Sequence, residues 1–431
     1  QPQWQVRSDL DGMALTLPAP LNKPQTVKVA LRVESQLTPE SLRPKSKVWQ
    51  DQIKVSFGKQ LSVMYVRDLS SARARVVRGV MTVGNVTELP ARDGAVNLAV
   101  QLPWVDLDAW NTVLNQAAGT TLVRVKTRAT PQSIGLEASG DGAQDYLPNV
   151  LNIKADQLKV SDRLVHKVTA TGSRTGDLWR LNVNADELNG AIEVRPPNGN
   201  TPAQLYARLA YLVIPPSMVQ DVESLLSEEP SSIPALDIVV QDLTLRNKKL
   251  GRLEIEAINR PGTQATREWR LNKFNASMPE AVLTATGNWA ADGKRTRRTQ
   301  FKFSLDIKDA GQLLTRLGTP DALKEGAGRL AGEVSWRGSP ITPDYASMSG
   351  RMNLNIEKGR FLKAEPGAAR LLGVLNLQAL PRRLTLDFDD MFSEGFAFDF
   401  VRGDVQIEHG IANSNNLQMK GVVAGALIEG H

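Results

Sequence analysis

The feature that most constrains this chain is an apolar period of two that recurs along most of its length. Val96, Leu98, Val100 and Leu102 alternate with Asn97, Ala99 and Gln101. Phe301, Phe303, Leu305 and Ile307 alternate with Lys302, Ser304 and Asp306. The same pattern runs through Val27 to Val33, through Leu384, Leu386 and Phe388, and through Phe396, Phe398 and Phe400. Successive side chains of a strand point to opposite faces, so each run makes one apolar and one polar face. Such sheets are normally antiparallel with one face wet. Turn-forming pairs fit this reading: Asp93-Gly94, Asp141-Gly142, Asp292-Gly293, Lys358-Gly359 and His409-Gly410 separate apolar runs.

Helical signals are few. Asp106 or Asp108 is placed to cap a segment carrying Leu107, Trp110 and Leu114. Ser217 with Gln220, and Asp309 with Gln312, read as capping boxes before apolar residues. A further segment, 366–378, carries Leu371, Leu372, Val374, Leu375 and Leu377 and is apolar nearly all round, so it must be buried or touch lipid.

The strands come in repeats. Leu151 to Pro197 reads as a meander whose third strand begins Leu178-Trp179-Arg180-Leu181-Asn182, and Leu236 to Trp289 repeats it with Glu268-Trp269-Arg270-Leu271-Asn272. A meander has an apolar face it cannot bury alone, and stacked copies make one sheet with a continuous apolar face. At about 4.8 Å per strand, roughly 25 to 30 strands would extend over 100 Å. That face either closes into sandwiches or curls into a groove open to a ligand. Aromatic residues make up only 5% of the chain, and Val, Leu, Ile and Ala line an acyl-chain slot without filling it. The alternation leaves both outcomes open.

Composition excludes several kinds of chemistry. The chain of 431 residues has no cysteine, hence no disulfide, thiolate metal site or cysteine nucleophile. Its three histidines, His166, His409 and His431, have no metal-ligand spacing. Asp387 and Asp389 alternate with Leu386 and Phe388 as the polar side of a strand. Ser56-Phe57-Gly58-Lys59 matches Ser-x-x-Lys but lacks the partner motifs of a catalytic site. No Walker, Rossmann or nucleophile-elbow motif occurs. The sequence therefore points away from an enzyme and implies no cofactor. A net charge of +6 is spread thinly, without the basic and aromatic interleaving of a nucleic-acid binder. The densest basic run, Lys294, Arg295, Arg297 and Arg298, reads as a solvated hairpin tip or a contact for phosphate or lipid headgroups. No run approaches the roughly 18 apolar residues of a membrane span, and Gln1 to Leu10 does not resemble a signal peptide.

The residues 365–373, Glu-Pro-Gly-Ala-Ala-Arg-Leu-Leu-Gly, with Leu377-Gln378-Ala379-Leu380-Pro381-Arg382-Arg383 and Phe392-Ser393-Glu394-Gly395-Phe396, resemble the C-terminal block of the YhdP family. Gly328-Arg329-Leu330 and Val334-Ser335-Trp336 fit the same pattern. That family belongs to the AsmA-like, bridge-like lipid-transfer proteins. The resemblance implies a mostly β chain: a long antiparallel, twisted repeat sheet curled into an open hydrophobic groove, with a few short helices. It implies phospholipid as ligand, a periplasmic place in a Gram-negative envelope, an inner-membrane anchor upstream, and an outer-membrane contact at the C-terminal end. Segments 1–230 and 231–324 would be groove repeats, and 325–431 a truncated C-terminal block. The expected groove lining is Val96, Leu98, Val100, Leu181, Val183, Ile238, Val240, Leu253, Ile255, Phe301, Phe303, Leu305, Leu354, Ile356, Leu384, Leu386, Phe388, Phe396, Phe398, Phe400, Val405 and Ile407, with the helix at 371–377 as plug or gate. The competing expectation is an envelope scaffold of closed β repeats.

Overall fold

A computed structural model describes residues 3–86, 91–117, 143–160, 163–198, 201–215, 234–260, 268–291, 297–340, 343–362, 396–421 and 425–430. The chain is mostly β and divides into two compact units, Gln1–Pro196 and Pro197–His431.

The first unit carries β1 (Gln3–Ser8), β2 (Leu31–Leu37), β3 (Gln50–Phe57), β4 (Leu61–Asp68), β5 (Arg75–Gly84), β6 (Val96–Asp106), α1 (Leu107–Ala117), β7 (Val150–Val160), β8 (Arg163–Thr175), β9 (Leu178–Asn184) and β10 (Leu188–Arg195). Neighbours pair antiparallel from β1 to β5 and from β7 to β10. The joints β5/β6 and β6/β7 are parallel. The second unit carries β11 (Gln204–Ile214), β12 (Ala235–Leu245), β13 (Lys248–Arg260), β14 (Glu268–Ser277), β15 (Ala281–Ala291), β16 (Arg297–Ile307), α2 (Ala310–Leu317), β17 (Leu323–Arg337), β18 (Ser349–Phe361), β19 (Phe396–Glu408), β20 (Ile411–Gly421) and β21 (Gly425–Gly430). Here β11/β12 is parallel and every later joint is antiparallel.

The expectation of an antiparallel sheet thus holds except at three joints. A parallel neighbour requires the chain to return to the strand's starting end, which takes a long connection. Such connections precede β6, β7 and β12, whereas two- or three-residue turns join half of the antiparallel neighbours. Arg246 and Asn247, at φ 48° and 62°, make the tight turn between β12 and β13, and His409-Gly410 makes the one between β19 and β20. Lys358-Gly359 does not turn the chain. Lys358 adopts φ 55° inside β18, whose pairing with β19 continues on both sides of it.

The repeat is visible in the ladders. The strands β7 to β10 match β12 to β15, and Trp179 and Trp269 are each the second residue of the third strand. Each set follows a parallel joint. Neither unit's ladder closes on itself, because its first and last strands do not pair with each other among the described residues. Among the described residues all strands belong to one sheet order, and they contact chiefly their ladder neighbours, α1, α2 and two short 3-10 turns.

Both described α-helices begin where the sequence places them. The Asp106 carboxylate accepts from Ala109 N at 2.9 Å ahead of α1. Asp309 caps α2 by accepting from Gln312 N at 2.9 Å, while Gln312 Nε2 donates back at 2.7 Å. Gly318, at φ 101°, ends the helix in the left-handed region. The Ser217 box and the segment 366–378 lie outside the described residues. Asp309→Ala removes both halves of the α2 cap and should cost about 1 kcal/mol, seen as an earlier denaturation midpoint with an unchanged denaturant slope.

Candidate functional site

Cross-strand register joins the alternating runs into apolar rows. In the first unit one row reads Leu31, Phe57, Leu61, Val83, Val100, Ile153, Ala170, Val183. The next reads Val6, Val33, Val55, Val63, Met81, Leu98, Leu151, Gly172, Leu181, Ile192. Val96 continues a third row through Gly79 and Tyr65. Tyr65 is buried, and burial pushes its phenol up to about 12, so it stays a neutral donor to Tyr146 O at 2.8 Å.

The second unit repeats this with different side chains. One row runs Leu236, Ala257, Leu271, Gly287, Phe301, Val334, Gly350, Ile407. Beside it run Ala207, Ile238, Ile255, Phe274, Ala285, Phe303, Gly332, Met352, Val405 and then Leu209, Val240, Leu253, Ala276, Leu283, Leu305, Leu330, Leu354. A fourth row includes Ala281, Ile307, Gly328, Ile356, Val401 and Met419.

Two bulges keep these rows on one side. Leu271 and Phe274 are three residues apart but oppose Gly287 and Ala285, which are two apart, so one extra residue on β14 restores the face. On β19 the register shifts between Phe398 and Phe400. Phe398 is therefore buried with Ile356 and Met419, as the same cluster takes in Val401. Phe400 falls on the other face: it lies opposite Glu357, and the Arg402 guanidinium stacks 4.2 Å from its ring centroid. Its place in the apolar lining is corrected by that extra residue. Phe396 pairs with Phe361, and Leu384, Leu386, Phe388 and 371–377 lie outside the described residues.

The apolar face of the second unit is sealed at the strand ends and open between them. At one end Trp269, Trp289, Thr299 and Trp336 stand in register and are all buried. At the other, Leu313 of α2 packs on Met278 and Ala281, and Arg316 of α2 grips the buried Glu280 carboxylate through two nitrogens. Between these ends Ile238, Ile255, Phe303, Leu305, Leu354 and Val405 stay half-buried. Sequence reading missed Phe274, Leu283, Leu330, Met352 and the tryptophan row. A bulge hides Phe274, and Ala or Gly at alternate positions interrupts the period elsewhere, as at Ala285 and Gly287. Gly287 is small because the Phe301 ring occupies the space a Cβ would take.

The opposite face is a lattice of charges and amides. Arg329 donates to Asp306 at 2.6 Å, Lys273 and Arg252 both reach Glu254, and Asp404 accepts from Asn353 and Asn416 at 2.8 Å each. These bonds hold the three carboxyls below their ordinary values: Arg329 acts on Asp306, Lys273 on Glu254, and the two amides on Asp404. A cavity of about 1100 Å³ is lined by the middle apolar row, Phe274, Ala285, Phe303, Gly332, Met352 and Val405, together with polar neighbours on the same strands such as Thr284, Lys302 and Asn353. Among the described residues no cluster of acidic residues or histidines is built to hold a metal ion. Ser56 of the Ser-x-x-Lys match sits in β3 opposite Ser62. His166 Nδ1, in β8, lies 2.5 Å from Glu187 Oε1 in the turn between β9 and β10. No described helix is long and apolar enough to cross a membrane.

Among protein families, the one described as YhdP protein matches residues 1–431. The chain belongs to the YhdP family. It is 23% identical over 306 residues to the intermembrane phospholipid transporter YhdP of Escherichia coli (strain K12), a match covering 69% of this chain and 23% of that protein. The chain therefore spans about a quarter of the length of that YhdP relative. No solved structure matches it.

The carboxyls on the polar face set an acid limit. Their folded pKa values lie below the unfolded ones, so their contribution is complete above the unfolded values and is lost as pH falls through the folded ones. The melting temperature should fall between about pH 5 and about pH 3. Glu254→Gln with Asp306→Asn should flatten that fall in scanning calorimetry.

Proposed function

We propose that this chain is a segment of a periplasmic conduit that carries phospholipid acyl chains along its apolar rows, between the inner and outer membranes of a Gram-negative envelope. The observation that carries the reading is the set of uncapped apolar rows. Five of them cross eight or more strands in their unit, and no second sheet of described residues covers them. A sealed scaffold would have packed a layer there, because an uncovered apolar face is costly in water.

The chemistry suits a sliding ligand. Burying a methylene is worth about 0.8 kcal/mol, so acyl chains strongly prefer the face to water. Apolar contact has no direction, so one row position serves as well as the next. Close backbone approach on that face supports the reading. At Gly328 and Gly332 a Cβ on the apolar side would collide with the backbone carbonyls of Asn355 and Arg351 on the neighbouring strand. Only glycine permits that approach. With the strand ends raised by the tryptophan row and α2, the half-buried middle rows become the floor of a groove. Headgroups then remain at the mouth. The work is transfer, without bond making or breaking, and the phospholipid is the only small partner the reading requires.

Photocrosslinkers placed at Phe303 and Leu354 should capture phospholipid in cells, and the same probe at Gln300 or Glu357, exposed on the opposite face and away from the cavity, should not. Leu354→Asp should leave the fold intact, since the side chain is half-buried, and reduce captured lipid at Phe303 about tenfold or more, given a penalty of a few kcal/mol for meeting a buried charge. Equal capture from both faces, or undiminished capture in Leu354→Asp, would reject the conduit.

A further inference from the structure

One surface of the first unit is apolar, basic and ordered at once, and the conduit reading does not use it. It is the loop 38–49 between β2 and β3. Leu42, Val48 and Trp49 are exposed there, Trp49 to 60% of its surface. Arg43, Lys45 and Lys47 are interleaved with them and exposed, and none is engaged in an ion pair among the described residues. A free apolar loop would normally fold its large side chains inward or be diluted with polar ones.

This loop is held in its outward shape by its own hydrogen bonds. Ser41 Oγ accepts from Gln50 N at 2.7 Å and donates to Gln50 O at 3.0 Å, closing the base. Ser41 N and Leu42 N donate to Thr38 O, Arg43 N to Glu40 O and Ser46 N to Arg43 O, making successive tight turns. Ser46 Oγ accepts from Val48 N at 3.1 Å. Leu69 N donates to Trp49 O at 2.7 Å, tying the loop to the turn that joins β4 to β5. That turn brings exposed Arg73 and Arg75 to the same end of the unit. The antiparallel register of β1 on β2 puts Trp4, 51% exposed, near this end as well, opposite Ser35.

We infer that this end of the first unit is a docking surface for an anionic phospholipid bilayer, with Trp49, Leu42 and Val48 entering the interface and Arg43, Lys45 and Lys47 facing the phosphates. Charge complementarity selects the occupant. Five basic residues, Arg43, Lys45, Lys47, Arg73 and Arg75, meet only Glu40 and Asp68 of the acidic residues in the two connections. Tryptophan with short aliphatic residues and interleaved lysine and arginine matches the layered polarity of a headgroup region, apolar below and anionic above. A protein partner of the same charge would need an acidic rim around an apolar pocket, and it enters the test as a competing outcome.

The test is co-sedimentation of the full chain with vesicles of phosphatidylglycerol and phosphatidylcholine, and with phosphatidylcholine alone. Binding to the mixed vesicles and not to the neutral ones is expected. Arg43→Glu, Lys45→Glu and Lys47→Glu together should weaken it at least 100-fold, since each basic residue near an anionic surface contributes roughly fivefold. Trp49→Ser with Leu42→Ser keeps the charges and should weaken it about tenfold or more. All five positions are solvent-exposed, so the melting temperature should be unchanged in both variants. Phospholipid crosslinking at Phe303 should also be unchanged, which separates this surface from the conduit. Wild-type chain that ignores anionic vesicles, or variants that bind them as the wild type does, would overturn the assignment. So would retention of a soluble protein in place of vesicles.

Discussion

Side-chain parity is the constraint on which the rest of this structure depends. A strand sends its residues alternately to two faces, so a one-residue slip exchanges an apolar face for a polar one. In a sheet with a second layer, an error of that kind is paid locally and the core closes around it. Here no second layer is packed on either unit among the described residues, and a row keeps its character only if every ladder keeps its register. The two bulges make this concrete. On β14 an extra residue brings Phe274 back to the side of Leu271, and on β19 another brings Val401 back to the side of Phe398. Without them, the apolar rows of the second unit would break at those strands.

The two faces then divide the labour of specifying and of accommodating. The polar face is directional: Arg329 on Asp306, Lys273 and Arg252 on Glu254, and the amides around Asp404 each demand a particular partner on the next strand. Exposed pairs of this kind add little stability individually, but they penalise the wrong register, where like charges would meet. The apolar face demands only volume and polarity. Valine, leucine, isoleucine and phenylalanine exchange freely along a row without loss of its solvent character. One face thus fixes the register of its neighbours, and the other leaves the choice among apolar side chains free.

Much of this was legible before any coordinates. Alternation located β6, β16 and the start of β19, Asp309 with Gln312 located α2, and the repeated Trp179 and Trp269 located the matching meanders. What escaped was whatever depends on two strands at once. Phe400 continues the alternation of Phe396 and Phe398, and only the pairing with Glu357 and Lys420 reveals that the face has changed. The parallel joints escaped for the same reason, since direction is a property of a pair. Lys358-Gly359 has turn chemistry, yet the strand passes straight through it, because the pairing with β19 outweighs the local preference. The tryptophans at 269, 289 and 336 are scattered in sequence and meet only through the ladder β14 to β17.

An identity of 23% to the Escherichia coli relative is compatible with the same division. An apolar row tolerates drift, because what it offers is solvent-like contact that any branched aliphatic side chain supplies. The geometry leaves least room where parity and approach are set: at the extra residues on β14 and β19, and at the glycines 328 and 332, where the neighbouring backbone takes the place of a side chain. Such a protein can be rewritten over most of its length and keep its fold, provided that every rewriting leaves the oily and the wet residues on their own sides.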